Sequence, residues 1–379
     1  MDLGLTEEQE MLRNTARDFL EKECPKSLVK EMEEDEKGYS PELWRKMAEL
    51  GWMGLVFPEK YGGSGGSFLD LIILLEEMGR ACLPGPFFST VVLCGLHILT
   101  GGSEQQRQEL LPKIVSGDLV LAFAFTEPSA RYEASAIAAR AVADGDDFVI
   151  NGTKLFVNDA HIADYILCLA RTKDSGPAEE GITLFLVDAK SPGIECTVLE
   201  TIADDKQCEV VFSDVRVPKS KVVGKVDQGW SIVEKAFPQA IVAKCAELVG
   251  GAQAALEMSV NYAKERVQFD RPIGSFQAIQ HHCANMLVDV DGSRFITYEA
   301  AWKISERLPV TMEVSMAKAW VSEACRRVTF LGHHIHGGIG FCRDSDVDLY
   351  YRRAKAGGYA FGDTTFHHRI VARELLQSV

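Results

Sequence analysis

HHIHGGIGFCRDSDVDLYYRRAKAGGYAFGDTTFHHRIVARE, residues 333–374, is the stretch from which the rest of the chain is read. A glycine-rich break at its start is followed by two charged, aromatic-rich runs with helical spacing, a pattern too ordered for a loose tail. A helical C-terminal region is therefore predicted, and what lies before it decides the fold class.

The chain has 379 residues, 46% hydrophobic and 25% charged, enough to bury a substantial core in two or three domains. A net charge of -15 and a pI near 5.1 argue against a nucleic-acid partner, because phosphate binding needs a basic face. The ten cysteines are scattered with no C-x-x-C pair, which reads as reduced thiols rather than a zinc or dithiol site. The N-terminal MDLGLTEEQEML is acidic and carries no arginine-rich or apolar leader, and no run approaches the roughly 20 apolar residues of a membrane span. The expected compartment is the cytoplasm of a bacterium, with no membrane span.

Thr6 and Gln9 have capping-box spacing, and Leu12, Ala16, Phe19 and Leu20 follow at helical spacing as far as Pro25. Ser40 before Pro41 predicts another helix, with Trp44, Met47 and Leu50 on its apolar face and Gly51 as its stop. PEKYGGSGGS, residues 58–67, reads as a turn ahead of an apolar helix over 68–78, ended by Pro84 and Pro86. Helical pattern resumes at 91–99 and 104–115. From Leu119 it gives way to short β-rich runs, LVLAFAF, DFVINGTKLFVN, DYILCLAR, ITLFLVD and CEVVFSDVRVP, with hairpin loops at 144–147 and 173–181. Beyond Gly229, long runs at 231–265, 275–307 and 310–332 predict a helical bundle. The predicted class is α+β: an N-terminal helical domain over 1–118, a middle β-barrel-like domain over 119–225 and a C-terminal four-helix-bundle domain over 226–379. A strand–GxGxxG–helix unit is absent, which argues against a Rossmann dehydrogenase.

The 333–374 stretch resembles the C-terminal signature of the acyl-CoA dehydrogenase family, where HGG or LGG precedes a helix, a Tyr-Arg-Arg-Ala-Lys-like run follows, and Tyr-Glu-Gly-Thr precedes an arginine-rich last helix. FAFTEPSA (123–130), KLFVNDAHIAD (154–164), VVFSDVRVPKSKVVG (210–224) and RVQFDRPIGSFQAIQHHCANM (266–286) extend the resemblance over essentially the whole chain. It implies an FAD-dependent enzyme of the β-oxidation type that converts an acyl-CoA substrate to the trans-2-enoyl-CoA and passes electrons to an electron-transfer flavoprotein. It also implies a tetramer, either a homotetramer or a heterotetramer with a homologous subunit.

Carried over by position, the resemblance places backbone groups of Phe125 and Thr126 at the flavin edge, where a strand end supplies donors to a flat ring. Phe156 and Asn158 stand where a Trp and a Thr pack on the flavin. Arg266, Gln268, Phe269 and Gln277 would hold the pyrophosphate and adenosine of a neighbouring subunit's FAD, a task suited to the guanidinium fork. His334, where a Gln is usual, with Gly337 and Gly338 would form the other half of that site, the glycines admitting backbone close to phosphate. Thr365 is carried over as a further cofactor contact. Without the resemblance, TEP is a turn and Arg266 caps a helix C-terminus. The histidines at 333, 334, 336, 367 and 368 lack a carboxylate or cysteine to complete a set, so no metal is predicted.

One departure matters most. The Glu of Tyr-Glu-Gly-Thr is the family's usual catalytic base, but gap-free counting from Lys355 to Arg373 puts Phe361 there, followed by Gly362 and by Asp363 in place of Thr. The backbone N–H of Phe361 can still donate to a thioester carbonyl, so Phe361 and Gly362 remain substrate-binding candidates. The family's alternative base position falls on Ala240, also not acidic. Glu247 lies on the same helical face, about 10 Å further along, among residues that predict a buried carboxylate with a raised pKa. It is the leading base candidate and Asp363 the second. Ala240 with Gly250 and Gly251 suggests a roomy pocket for a dicarboxylic, cyclic or steroid-like acyl group. The departures also resemble a branch of the family with mixed oligomers, in which a subunit without the base is catalytically silent and shares its cofactor motifs.

Overall fold

Thr6 opens the first helix as expected: its side chain accepts from the N–H of Gln9, whose side chain accepts from the Thr6 N–H in return. In this computed structural model, which describes residues 4–377, that helix is α1 (Glu7–Glu23). A helix not anticipated, α2 (Lys26–Glu34), follows Pro25 directly. Ser40 caps α3 (Pro41–Glu49) through the Leu43 N–H, and Ser67 forms a second capping box with Asp70 at the start of α4 (Phe68–Ala81). Residues Phe88–Gly95 form a π-helix, followed by α5 (Leu96–Gly101) and α6 (Glu104–Val115). The first third of the chain is all-helical.

The middle of the chain forms β1 (Leu121–Ala124), β2 (Arg140–Asp144), β3 (Asp147–Asn158), β4 (Tyr165–Arg171), β5 (Ile182–Asp188), β6 (Ile194–Leu199), β7 (Gln207–Pro218) and β8 (Val222–Val223). Their order is β6-β7-β3-β2-β4-β5-β8, with β1 parallel to β4. The strands β2, β6 and β8 are short, and half or more of the residues in each lie outside the core, so they present no sustained alternation to the sequence reading. After the sheet come α7 (Trp230–Glu265), a small hairpin of β9 (Val267–Gln268) and β10 (Arg271–Pro272), α8 (Gln277–Ser305), α9 (Thr311–His336), α10 (Asp346–Tyr359) and α11 (Thr364–Gln377). No helix among the described residues is long and apolar enough to cross a membrane.

Packing sorts these elements into two compact units. One collects Met1–Lys30, Ser67–Leu83 and Ile241–Val379, and the other Glu31–Gly66 and Pro84–Ala240. The sheet unit buries Phe148, Ile150, Phe185, Val210, Phe212 and Val215 with their neighbours on one sheet face. It also buries His97 completely. The imidazole Nδ1 donates to the Leu93 carbonyl while burial pushes the pKa down to about 4.

The helical unit is organised by α4 and α7, which touch backbone to backbone. A Cβ at Gly79 would lie 2.0 Å from the Glu247 carbonyl oxygen, and one at Gly250 would lie 1.8 Å from that of Glu76. The suggestion that Gly250 and Gly251 open a pocket is thereby corrected, because the space at Gly250 is filled by the neighbouring helix and Gly251 faces the Tyr350 ring at 3.4 Å. Two buried carboxylates of α4 are neutralised within the unit, Glu77 by Arg17 at 2.6 and 3.0 Å and Glu76 by Arg294 at 2.9 Å.

Gly250→Ala is expected to lower stability by about 3 kcal/mol, since a methyl group there forces the helices apart. Gly251→Ala, with room for the methyl, should be neutral or gain up to about 1 kcal/mol from helix propensity. Urea denaturation of the two variants checks the contrast.

Candidate functional site

In the sheet unit, the predicted residues cluster where β1 ends and β3 bulges. Phe125 is buried, its ring among those of Phe123, Tyr132, Trp230 and Phe237 at 5.1–6.1 Å. Thr126 follows it, half-buried, and its carbonyl accepts from the Leu155 N–H at 2.9 Å, tying the end of β1 to β3. The pairing of β3 with β7 slips between Lys154 and Val157, and within that slip Phe156 takes φ +56°. A bulge of this kind turns one side chain away from the sheet's alternation, and Phe156 is left 50% exposed. Asn158 ends the strand, half-buried.

Beneath that corner lies a pair the sequence reading missed. Lys154 is 0% and Glu127 5% exposed, and the Lys154 Nζ donates to Glu127 Oε1 at 2.7 Å and to the Phe125 carbonyl at 3.3 Å. Glu127 also accepts from the N–H groups of Ala138 and Ala139 at 2.7 and 3.1 Å. The ion pair thus locks the Thr-Glu-Pro corner to the bulged strand. A lysine at an inward position of an alternating strand was the available signal.

In the helical unit, Arg266, Gln268, Phe269 and Gln277 are all exposed and sit between the end of α7 and the start of α8. Phe269 and Asp270, at φ +56° and +63°, form the two-residue turn of the β9–β10 hairpin, which holds the Phe269 ring out at 86% exposure. Tyr262 stacks on His336 at 4.4 Å, and His282 meets His334 edge-on at 5.2 Å, so the end of α9 belongs to the same cluster. Gly337 ends α9 at φ +65°, and neither it nor Gly338 has an atom within 4 Å of where a Cβ would stand. An exposed aromatic ring, a guanidinium, two amides and an open glycine turn suit an adenine, a pyrophosphate and a close-approaching backbone. These residues fit a dinucleotide.

The third group is the turn between α10 and α11. Phe361 has φ +63° and Gly362 φ +100°. The His367 Nε2 donates to the Phe361 carbonyl at 3.0 Å, and the Lys318 Nζ donates to the Gly362 carbonyl at 3.2 Å. Asp363 is exposed and its Oδ1 accepts from the Phe366 N–H at 2.8 Å, capping α11. Thr365, one residue into that first turn, is exposed. Ala240 is fully buried on α7.

Glu247 does not lie in the apolar setting expected of it. Its side chain is 24% exposed and ion-paired with Lys244, one turn earlier on α7. The apolar neighbours were read correctly, but Lys244 at i−3 projects to the same side and neutralises the carboxylate.

Acid should weaken the fold through two histidines. Burial holds the pKa of His367, like that of His97, down to about 4, so between pH 6.5 and 4 the unfolded chain binds more protons and stability falls. Each residue is expected to contribute up to about 3 kcal/mol to that loss, and His367→Gln should show a correspondingly shallower decline in a pH series of denaturation curves. Lys154→Met, which strands Glu127 in the interior, should cost about 3–5 kcal/mol, and adding Glu127→Gln should recover part of it.

Models of three consecutive domains match the chain: Acyl-CoA dehydrogenase, N-terminal domain over residues 6–118, middle domain over 122–215 and C-terminal domain over 227–376. Among similar proteins, the acryloyl-CoA reductase (NADH) of Anaerotignum propionicum is 33% identical over 383 residues, covering 100% of this chain and 96% of that one. The structure of butyryl-CoA dehydrogenase from Megasphaera elsdenii superposes with a TM-score of 0.91 at 32% identity, covering 99% of this chain and 100% of that one. A chain of the ChsE4-ChsE5 complex from Mycobacterium tuberculosis superposes with a TM-score of 0.90 at 29% identity, covering 100% and 99%.

Proposed function

The chain belongs to the acyl-CoA dehydrogenase family, and from that premise we propose that it is an FAD enzyme that removes hydrogens from the α and β carbons of an acyl-CoA thioester and delivers the electrons to an electron-transfer flavoprotein. The observation that carries the cofactor reading is the Phe269 ring held at 86% exposure on a hairpin tip, in one cluster with Arg266 and the open Gly337–Gly338 turn. A rigid aromatic face presented in this way, beside a guanidinium and an open glycine turn, is suited to stacking on an adenine ring. When bound, FAD supplies the acceptor for the β-hydride.

The chain's own residues divide the remaining work. Arg266, Gln268 and Gln277 bind the phosphate-bearing half of a neighbouring subunit's FAD, and Phe269 packs on its adenosine. Thr126 and Asn158 offer polar groups to the flavin edge, while Phe156 shields one ring face from water. The backbone at Phe361 and Gly362 polarises the thioester carbonyl, lowering the pKa of the α-proton. Glu247 and Asp363 are the candidate proton acceptors. Glu247 must first part from Lys244, whereas Asp363 stands two residues from Phe361. Ala240 lines the acyl side. Leu287, Val288 and Phe295 on α8 and Trp320 and Phe330 on α9 are exposed and apolar, which supports assembly into a tetramer with itself or with a homologous subunit.

The test is an anaerobic titration of purified protein with butyryl-CoA and longer, branched and dicarboxylic CoA thioesters, following loss of the flavin's visible absorption. A yellow protein that bleaches with at least one thioester is expected. Glu247→Gln or Asp363→Asn, whichever removes the base, should slow bleaching by about 10²–10⁴-fold, and the other should leave it near wild type. Protein that holds FAD yet bleaches with none of them overturns the dehydrogenase reading, and colour that appears only on co-expression with a homologous chain supports the cofactor-sharing subunit instead.

A further inference from the structure

Phe361 occupies a backbone region that is unfavourable for any residue with a side chain, so something outside the turn must hold it there. The strongest holder is Lys318 on α9. Its side chain is fully buried, and its Nζ lies within hydrogen-bond distance of four oxygens, Ser322 Oγ at 2.9 Å and the carbonyls of Gly357, Gly358 and Gly362 at 3.1, 2.8 and 3.2 Å, which its three N–H groups share. Gly357 and Gly358 lie in the last turn of α10, where carbonyls have no partner within the helix and a positive charge is favoured. Gly362 lies beyond Phe361. One ammonium therefore grips the chain on both sides of Phe361, and His367 holds the Phe361 carbonyl between them.

We propose that Lys318 is a positioning residue that sets the backbone at Phe361 and Gly362 for a thioester carbonyl, an inference that rests on the function proposed above. The amine does not touch the substrate, because its hydrogens are already committed to this chain. A lysine suits the place because a compact tetrahedral head can reach acceptors on three sides, which a planar guanidinium cannot. The other charged or titratable groups near it are Lys244 and Cys245 on α7, Cys325 on its own helix, Asp363 in the turn and His367 on α11. Burial pushes the Lys318 pKa down to about 8, so the ammonium form still predominates at neutral pH. The sequence signal is a lone charged residue in VSMAKAWVS, between two alanines and at a position that the helical spacing turns inward.

The test compares two ligands that differ only in the carbonyl, crotonyl-CoA and its thioether counterpart but-2-enyl-CoA, by calorimetric titration of the FAD-loaded protein. Lys318→Met is expected to weaken crotonyl-CoA binding by about tenfold, the worth of one well-placed hydrogen bond to a carbonyl, and thioether binding by less than about twofold. It should also speed hydrogen exchange of the amides of residues 359–363 while leaving the exchange of α8 unchanged. A merely structural role would weaken both ligands alike, and that result, or no change in either, overturns the proposal. Lys318→Gln, which keeps an uncharged N–H donor group at a shorter reach, should give an intermediate ratio and replaces the methionine variant if that one does not fold. If wild-type protein binds neither ligand, the reading of the site fails, while the exchange measurement still decides whether Lys318 holds the turn.

Discussion

The helical unit depends on the direct approach of α4 to α7 at Gly79 and Gly250, where no side chain larger than hydrogen fits between the helices. Once the backbones meet, α4 lies deep enough that Glu76 and Glu77 are buried. Those carboxylates in turn require Arg17 from α1 and Arg294 from α8 at fixed positions. Close packing therefore dictates the electrostatics, since a carboxylate removed from water is tolerated only with a well-placed partner.

The same logic operates at the two backbone turns that the proposed function assigns to ligands. At the Thr-Glu-Pro corner, Lys154 and Glu127 form a buried pair whose spare bonding capacity goes to the Phe125 carbonyl just past β1 and to the N–H groups of Ala138 and Ala139 before β2. At the turn before α11, Lys318 does the equivalent work with four oxygens, one of a hydroxyl and three of carbonyls. In both cases a charge in a low-dielectric setting fixes loop geometry more tightly than apolar packing could, because its hydrogen bonds are directional and their loss is expensive. Loops held in this way come to a ligand with little left to reorganise.

On the proposed reading, the group that takes the proton stands apart from the backbone that receives the thioester carbonyl. Phe361 and Ala240, the two positions to which the resemblance points, carry no carboxylate. The carbonyl-binding half of the chemistry can thus be separated from the proton-removing half, since the first relies on main-chain groups and the second on one side chain. Glu247 with its Lys244 partner and Asp363 at its helix cap are both engaged in the resting structure, so either would have to exchange a local bond for a role on substrate.

Much of the architecture was legible in the residues themselves. Thr6, Ser40 and Ser67 each begin a helix, Asp144 to Asp147 closes a hairpin, and the long C-terminal runs became α7, α8 and α9, because caps, turns and periodicity are written within a few neighbouring positions. The motifs that assign the family were equally local. What the sequence could not settle was the partner of each polar residue inside an apolar pattern, or the purpose of each glycine. Lys154, Lys318 and His367 acquired their roles, Gly250 closed a gap instead of opening one, and Glu247 found a lysine instead of a dry pocket. Those outcomes depend on which surfaces meet across the fold, and a meeting between segments far apart in the chain leaves no periodic trace in either one.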